Sequence, residues 1–420
     1  MAISGKKGGG EIKEDPFESD EAVKQRVDAL ITAGIVESLS GLIRAESGLV
    51  KDGLGRLCRN LVEDKANRST FIRDGGFKVL TNTIRYLLQP PKETTSSASS
   101  ASLTVTPDAQ FDPLPAIQAL AKLVITSPPH LLFPPPHATT ALNALTPLYT
   151  LLVHPKSTML QNFEALMALT NIASIDSSIA DRIVSASIKP PDQDSMWRGS
   201  GREDALSVLS KIEEMMFEQN PLVRRAATEL VCNLVGSEKG FNAFTGENGS
   251  TSEAKVKSRL NVLLVLTMVD DLQTRLAAGG ALAVLTESPA ACESVLTLPF
   301  GKAEGSTSAR SPWARVISLL DPEDATQPAD DEEEAIPVIS TSLPNSDLVH
   351  RGVAVLYNLI NFAVESKTKG KGDQWLEAAR TAVIEDKLME VVRREKRMEI
   401  LPPAVEALKL LKANPAAKSG

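Results

Sequence analysis

Apolar residues recur along the chain at steps of three and four. The clearest run is N-F-E-A-L-M-A-L-T-N-I-A-S at 162–174, where Leu166, Leu169, Ile172 and Ala173 share one face of a helix. Asn171 lies off that face. A helix interior disfavours Asn, whose amide competes for nearby backbone groups, so a side chain kept there points to a use. The placement returns as Asn60 in L-C-R-N-L-V, Asn233 in L-V-C-N-L-V and Asn358 in V-L-Y-N-L-I, each closing an amphipathic run of similar length. One helical unit is repeated and carries its Asn with it.

The first unit reads as helices over 21–32, 35–44 and 49–63, with a break at Ala33-Gly34. Two short helices and a longer one separated by Gly match the armadillo repeat. Further helices are expected over 77–88, 114–125, 140–153, 205–217, 260–269, 272–285, 313–320, 347–364, 375–398 and 402–413. Asn220-Pro221 starts another, the Asn capping and the Pro taking the first helical position, with Leu222, Ala226, Leu230 and Val231 on its buried side. Counting Lys122, Val284 and Leu410 in the Asn slot, the slots fall at 60, 122, 171, 233, 284, 358 and 410. A bare armadillo unit is about 40 residues, so the longer intervals imply insertions. Pro-, Ser- and Gly-rich stretches place these at about 90–113, 189–204, 240–256, 299–312 and 322–345, after a flexible tail over 1–20. The expectation is an all-α, armadillo-repeat right-handed superhelical solenoid with disordered loop insertions, forming one domain over 21–415.

Composition agrees with stacked helices: 42% of the 420 residues are apolar but only 4% aromatic. A net charge of -8 argues against nucleic acid and against anionic membrane surfaces as partners. The longest greasy run, 260–269, is half of a membrane span, and M-A-I-S-G-K-K turns polar at once, so no span or secretory signal is expected. Cys58, Cys232 and Cys292 are widely spaced with no C-x-x-C, which suits reduced thiols in a cytoplasmic protein. No phosphate loop, nucleophile elbow or zinc motif is present, and the four His lack ligand-spaced partners. Neither enzymatic activity nor a metal or cofactor is expected.

Stacked armadillo units line a groove with their third helices. If Asn60, Asn171, Asn233 and Asn358 face it, each offers amide donors and an acceptor to the backbone of an extended client. Residues four and eight positions earlier share that face, namely Arg56 and Asp52, Met167 and Phe163, Glu229 and Arg225, Ala354 and His350. The middle of the client-binding groove is therefore part apolar, at Phe163 and Met167, and part charged, at Arg225 and Glu229. The alternative is that these Asn merely bond within the helix or to the neighbouring repeat.

The run at 162–174, M-F-E-Q-N-P-L-V-R-R-A-A-T-E-L-V-C-N-L-V at 216–235 and A-A-G-G-A-L-A-V-L-T-E at 277–287 closely resemble the UCS-domain family of myosin chaperones. The likeness covers most of residues 15–410 outside the insertions. It implies an armadillo solenoid that binds the motor domain of a myosin heavy chain and supports its folding and activity in actin-based processes such as cytokinesis. Animal members add a tetratricopeptide region that recruits the ninety-kilodalton heat-shock chaperone, a second partner the resemblance brings in. Fungal members lack that region, as does this sequence, and its insertions are similar to fungal elaboration. Two rivals use the same fold: a generic armadillo scaffold, and a transport adaptor of the nuclear-import type. Import receptors resemble a groove with Trp one turn before each Asn, where this chain has Arg56, Met167, Glu229 and Ala354.

Overall fold

The computed structural model describes residues 19–45, 47–89, 111–188, 206–249, 251–298, 312–320 and 345–414. The tail and nearly all of the insertions assigned to 90–113, 189–204, 299–312 and 322–345 lie outside the described residues. The chain forms an all-α solenoid whose helices fall into two compact units, Met1–Leu151 and Leu152–Gly420, where the sequence suggested one domain over 21–415.

The first unit holds α1 (Asp20–Thr32), α2 (Ile35–Leu39), α3 (Gly48–Leu61), α4 (Arg68–Arg73), α5 (Gly76–Leu87), α6 (Leu114–Thr126), α7 (Pro129–Leu132) and most of α8 (His137–Val153). Gly34 and Gly75, at φ 77° and 88°, make the left-handed links that open α2 and α5, a conformation L side chains rarely adopt. α3 packs against α5 and α6 through Leu54, Cys58 and Leu61. Lys51 is buried with them. Its Nζ donates to the carbonyls of Ile43 at 2.7 Å and Leu42 at 3.4 Å and sits 5.8 Å from the centre of the Tyr86 ring, and burial lowers its pKa.

The second unit holds α9 (Met159–Ala173), α10 (Ser177–Ser185), α11 (Val208–Met215), α12 (Pro221–Leu234), α13 (Glu238–Thr245), α14 (Glu253–Leu266), α15 (Leu272–Leu285), α16 (Pro289–Leu296), α17 (Pro312–Ile317), α18 (Ser346–Glu365), α19 (Gly372–Thr381), α20 (Ile384–Arg394) and α21 (Leu401–Ala413). α9, α12, α15, α18 and α21 stack side by side as a ladder. Their starts are written locally. Thr158 and Gln161 form a capping box on α9, Asn220 caps α12 before Pro221, and Asp271 caps α15. No described helix is long and apolar enough to cross a membrane.

Four expectations need correction. The stretch 240–256, assigned to an insertion, contains most of α13 and the start of α14. Gly240 is demanded by packing, because a Cβ there would stand 1.9 Å from the Leu234 carbonyl oxygen, and the turn between α13 and α14 carries positive φ at Gly246, Asn248 and Gly249. The helix expected from 205 starts at Val208, because Leu206 and Ser207 pair antiparallel with Ile188 and Ser187 and Ser207 then caps α11. The helix expected over 375–398 is two, α19 and α20, parted at Val383 with φ 63°. Leu222 is 50% exposed, and Val223 takes the buried position assigned to it.

Candidate groove on the ladder helices

The accessible residues of each ladder helix run in steps of three and four through the Asn slot. On α9 they are Phe163, Met167 and Asn171; on α12, Arg225, Glu229 and Asn233; on α15, Leu276, Gly280 and Val284; on α18, Arg351, Ala354 and Asn358. Most other residues in the middle of these helices are buried against neighbours, so this stripe is their main accessible face, with further exposed positions near the helix ends such as Leu160, Leu222, Asp347 and Glu365. In the first unit Asn60 is exposed on α3, one turn after Arg56, which pairs with Asp52 at 2.8 Å.

The ladder helices run parallel. Arg351 donates from Nη1 to the Leu276 carbonyl, and Asn358 donates from Nδ2 to the Ala283 carbonyl at 3.3 Å, both across a separation of 75 residues. Asn358 also donates to Thr286 Oγ1 at 3.1 Å, and Asn233 donates from Nδ2 to the Thr170 carbonyl at 3.4 Å. Lys122, the slot residue of α6, likewise reaches back, with Nζ 3.2 Å from Glu63 beyond the end of α3. At Asn233 and Asn358 the slot amide thus donates to a last-turn carbonyl of the preceding ladder helix, one position before that helix's own slot. The neighbouring-repeat alternative holds for the amide nitrogens of Asn233 and Asn358. Their Oδ1 atoms accept no hydrogen bond from a described residue, so what these two Asn turn outward is an acceptor.

The two charges on the α12 stripe divide into one that is committed and one that is not. Arg225 grips Asp271 with two bonds, Nη2 to Oδ1 at 2.6 Å and Nε to Oδ2 at 3.3 Å, while the same carboxylate accepts from Thr274 N at 2.8 Å to cap α15. Burial alone would push Asp271 up, but Arg225 and Thr274 outweigh it and hold the carboxyl below its ordinary range. Glu229, one turn on from Arg225, is half-buried and has no ion-pair or hydrogen-bond partner among the described residues. Burial pushes its pKa up, against the pull of Arg225 and with help from the Asp271 charge.

Between α12 and α18, the floor of the stripe is Gly280. A methyl there would stand 3.0 Å from Cys232 Sγ and 3.2 Å from Arg351 Nη1, so the bare backbone is what lets the Arg351 side chain lie across α15 toward α12. Arg351 was not singled out from the sequence. The signal was A-A-G-G inside a helix, since each Gly costs about 1 kcal/mol relative to Ala and marks a close approach. Among the described residues, then, Phe163, Met167, Glu229 and the four Asn lie on accessible stripes, and Arg225 is there but tied to Asp271.

No family model matches the chain. Among curated sequences, it is 24% identical over 407 residues to human protein unc-45 homolog B, covering 94% of this chain and 33% of that protein. It is 33% identical over 185 residues to ring assembly protein 3 of Schizosaccharomyces pombe, covering 43% of this chain and 21% of that protein. The chain thus spans about a third or less of the curated relatives it matches. Among solved structures, UNC-45 from Drosophila melanogaster superposes with a TM-score of 0.66 at 24% identity, over 96% of this chain and 39% of that one. She4p superposes with a TM-score of 0.60 at 16% identity, over 96% and 46%. An UNC-45 chaperone described for binding and folding muscle myosin superposes with a TM-score of 0.64 at 20% identity, over 96% and 35%.

Proposed function

We propose that this chain, a UCS-domain protein by its sequence relatives and its fold, is a myosin-directed co-chaperone that holds extended, incompletely folded segments of a myosin motor domain along its ladder-helix stripe. The observation that carries this is the run of accessible side chains on adjacent parallel helices, apolar at Phe163, Met167, Leu276 and Val284 and polar at Glu229, Asn233, Arg351 and Asn358, with an amide acceptor left over on Asn233 and Asn358. An extended client is rich in unpaired backbone N–H groups, which such acceptors bind without regard to sequence. One hydrogen bond contributes only about 0.5–1.5 kcal/mol net, so affinity comes from several slots together. No catalytic residue is needed, because binding the non-native chain lowers its free concentration by mass action. The UNC-45 of C. elegans has been solved with an Hsp90 peptide, and by that relationship the ninety-kilodalton chaperone is the second partner proposed here, with the cytoplasm as the place of action.

The test is suppression of aggregation of a heated myosin motor domain at near-equimolar chain. Wild type should suppress light scattering, and Asn171→Ala with Asn233→Ala should weaken suppression several-fold. Unchanged suppression by that double variant would remove the groove from the mechanism.

A further inference from the structure

Two half-buried charges of opposite sign stand unpaired on this stripe. Arg351 donates to the Leu276 carbonyl and forms no ion pair with a carboxylate among the described residues, although its charge helps hold the Asp347 carboxyl down. Asp347, one turn earlier on the same helix, is taken by Arg397 at 2.5 Å. Arg225, the cation one turn from Glu229, is taken by Asp271. Between Glu229 and Arg351 lie Cys232 and the bare Gly280 backbone, and burial raises the pKa of the Cys232 thiol while the Arg351 cation lowers it and the Glu229 carboxylate adds to the rise. Arg225 and Asp347 on the same helices are tied to carboxylate or guanidinium partners, so two half-buried groups without one are candidates for reading charge on a ligand.

The chemistry fits an extended polypeptide. A guanidinium with free N–H groups takes a carboxylate through two parallel bonds, and a half-buried carboxylate takes an ammonium or guanidinium more strongly than an exposed one does. The bare Gly280 backbone lets the Arg351 guanidinium lie across α15 toward α12, on the side where Cys232 stands. Phe163 and Met167 on α9 supply the apolar contact next to the Glu229 side.

We propose that Glu229 and Arg351 determine which segments this groove holds: an extended stretch with an apolar residue, then a Lys or Arg set against Glu229, then an Asp or Glu set against Arg351. This rests on the groove reading above and names its client class.

The probes are fluorescent 12-residue peptides carrying Leu, Lys and Glu at alternate positions, with versions in which Lys, Glu or both become Gln. Anisotropy titrations should show wild type binding the Lys/Glu peptide about three- to tenfold more tightly than the double-Gln peptide, as expected of partly screened ion pairs. Glu229→Gln should remove the advantage of Lys alone and Arg351→Gln that of Glu alone. Glu229→Lys combined with Arg351→Glu should restore affinity only for the peptide with its two charges exchanged, and thermal melts by circular dichroism check that each variant is folded. Equal binding of all four peptides, weakened by Asn171→Ala with Asn233→Ala, overturns the charge reading and leaves the groove standing. If wild type binds none of them and that double variant still suppresses aggregation, the groove fails and this inference with it.

Discussion

Asn358 on α18 donates from Nδ2 to the carbonyl of Ala283 on α15, one position before the slot of the preceding ladder helix, and Asn233 on α12 makes the same contact with Thr170 on α9. At these two positions the Asn is therefore a clasp between repeats on its nitrogen side and an open acceptor on its oxygen side. Both roles follow from one amide having two donors and one acceptor oxygen.

The clasp predicts unequal costs. Asn358 makes two bonds in a half-buried place, at 3.3 and 3.1 Å, so Asn358→Ala should destabilise by about 1–2 kcal/mol in urea unfolding. Asn233 is exposed and its bond is long at 3.4 Å, so Asn233→Ala should cost under about 0.5 kcal/mol. Equal costs would show that the amides do not act through these bonds.

Two ladder glycines should respond to Ala with opposite sign. At Gly352 a Cβ would stand 2.7 Å from Leu319 Cβ and 3.0 Å from Leu320 Cδ2, so Gly352→Ala overpacks and should destabilise by about 1–2 kcal/mol even after the helix-propensity gain. At Gly279 the nearest atoms are at 3.4 Å, an ordinary contact, so Gly279→Ala should stabilise by up to about 1 kcal/mol. Chemical denaturation of both variants decides it, and loss of stability at Gly279 would be the adverse result.

Asp271 and Glu229 should shape the pH profile of stability in opposite ways. Asp271 has its folded pKa depressed below the unfolded value of about 3.9, so its contribution is present above that pH and lost as pH falls through the folded value. Asp271→Asn should flatten the acid limb. Glu229 has its folded pKa raised above the unfolded value of about 4.3, so the folded state holds its proton longer and the group destabilises as pH rises past that point. Glu229→Gln should be more stable than wild type at neutral pH, with the gain gone near pH 4. Urea midpoints across pH 3 to 8 measure both, and a Glu229→Gln variant no more stable than wild type at pH 7 would contradict the burial argument.

The three thiols should separate by reactivity. Cys58 and Cys292 are buried and pushed up to about 12 by desolvation, while Cys232 is only half-buried, and the Arg351 cation opposes the upward push there. An aromatic disulfide reagent should titrate one slow thiol in the native protein and all three after unfolding. Arg351→Gln should slow the native reaction further. A faster reaction at Cys232 in that variant would mean that the guanidinium shields the thiol rather than favouring its anion.

Much of the solenoid was legible because armadillo helices are built from local signals. The three- and four-residue apolar spacing, Asn220-Pro221 and the links at Gly34 and Gly75 act within a few residues of where they stand in the chain. Failures came where a distant contact overrode composition. Gly240 looks like loop but is the small residue that lets α13 pack under the Leu234 carbonyl. Val383 looks like helix interior but sits in the left-handed region and parts α19 from α20.

By its own periodicity the sequence determined that the chain is a stack of helices with an Asn at a shared position, since amphipathic spacing and caps are properties of neighbouring residues. The tertiary structure alone decided what those residues do there. It turned the amide nitrogens of Asn233 and Asn358 back onto the preceding helix, tied Arg225 to Asp271, and left Glu229 and Arg351 unpaired on either side of Gly280. Those outcomes depend on the register between helices 46 to 75 residues apart in sequence, and register is set by packing that no local pattern contains.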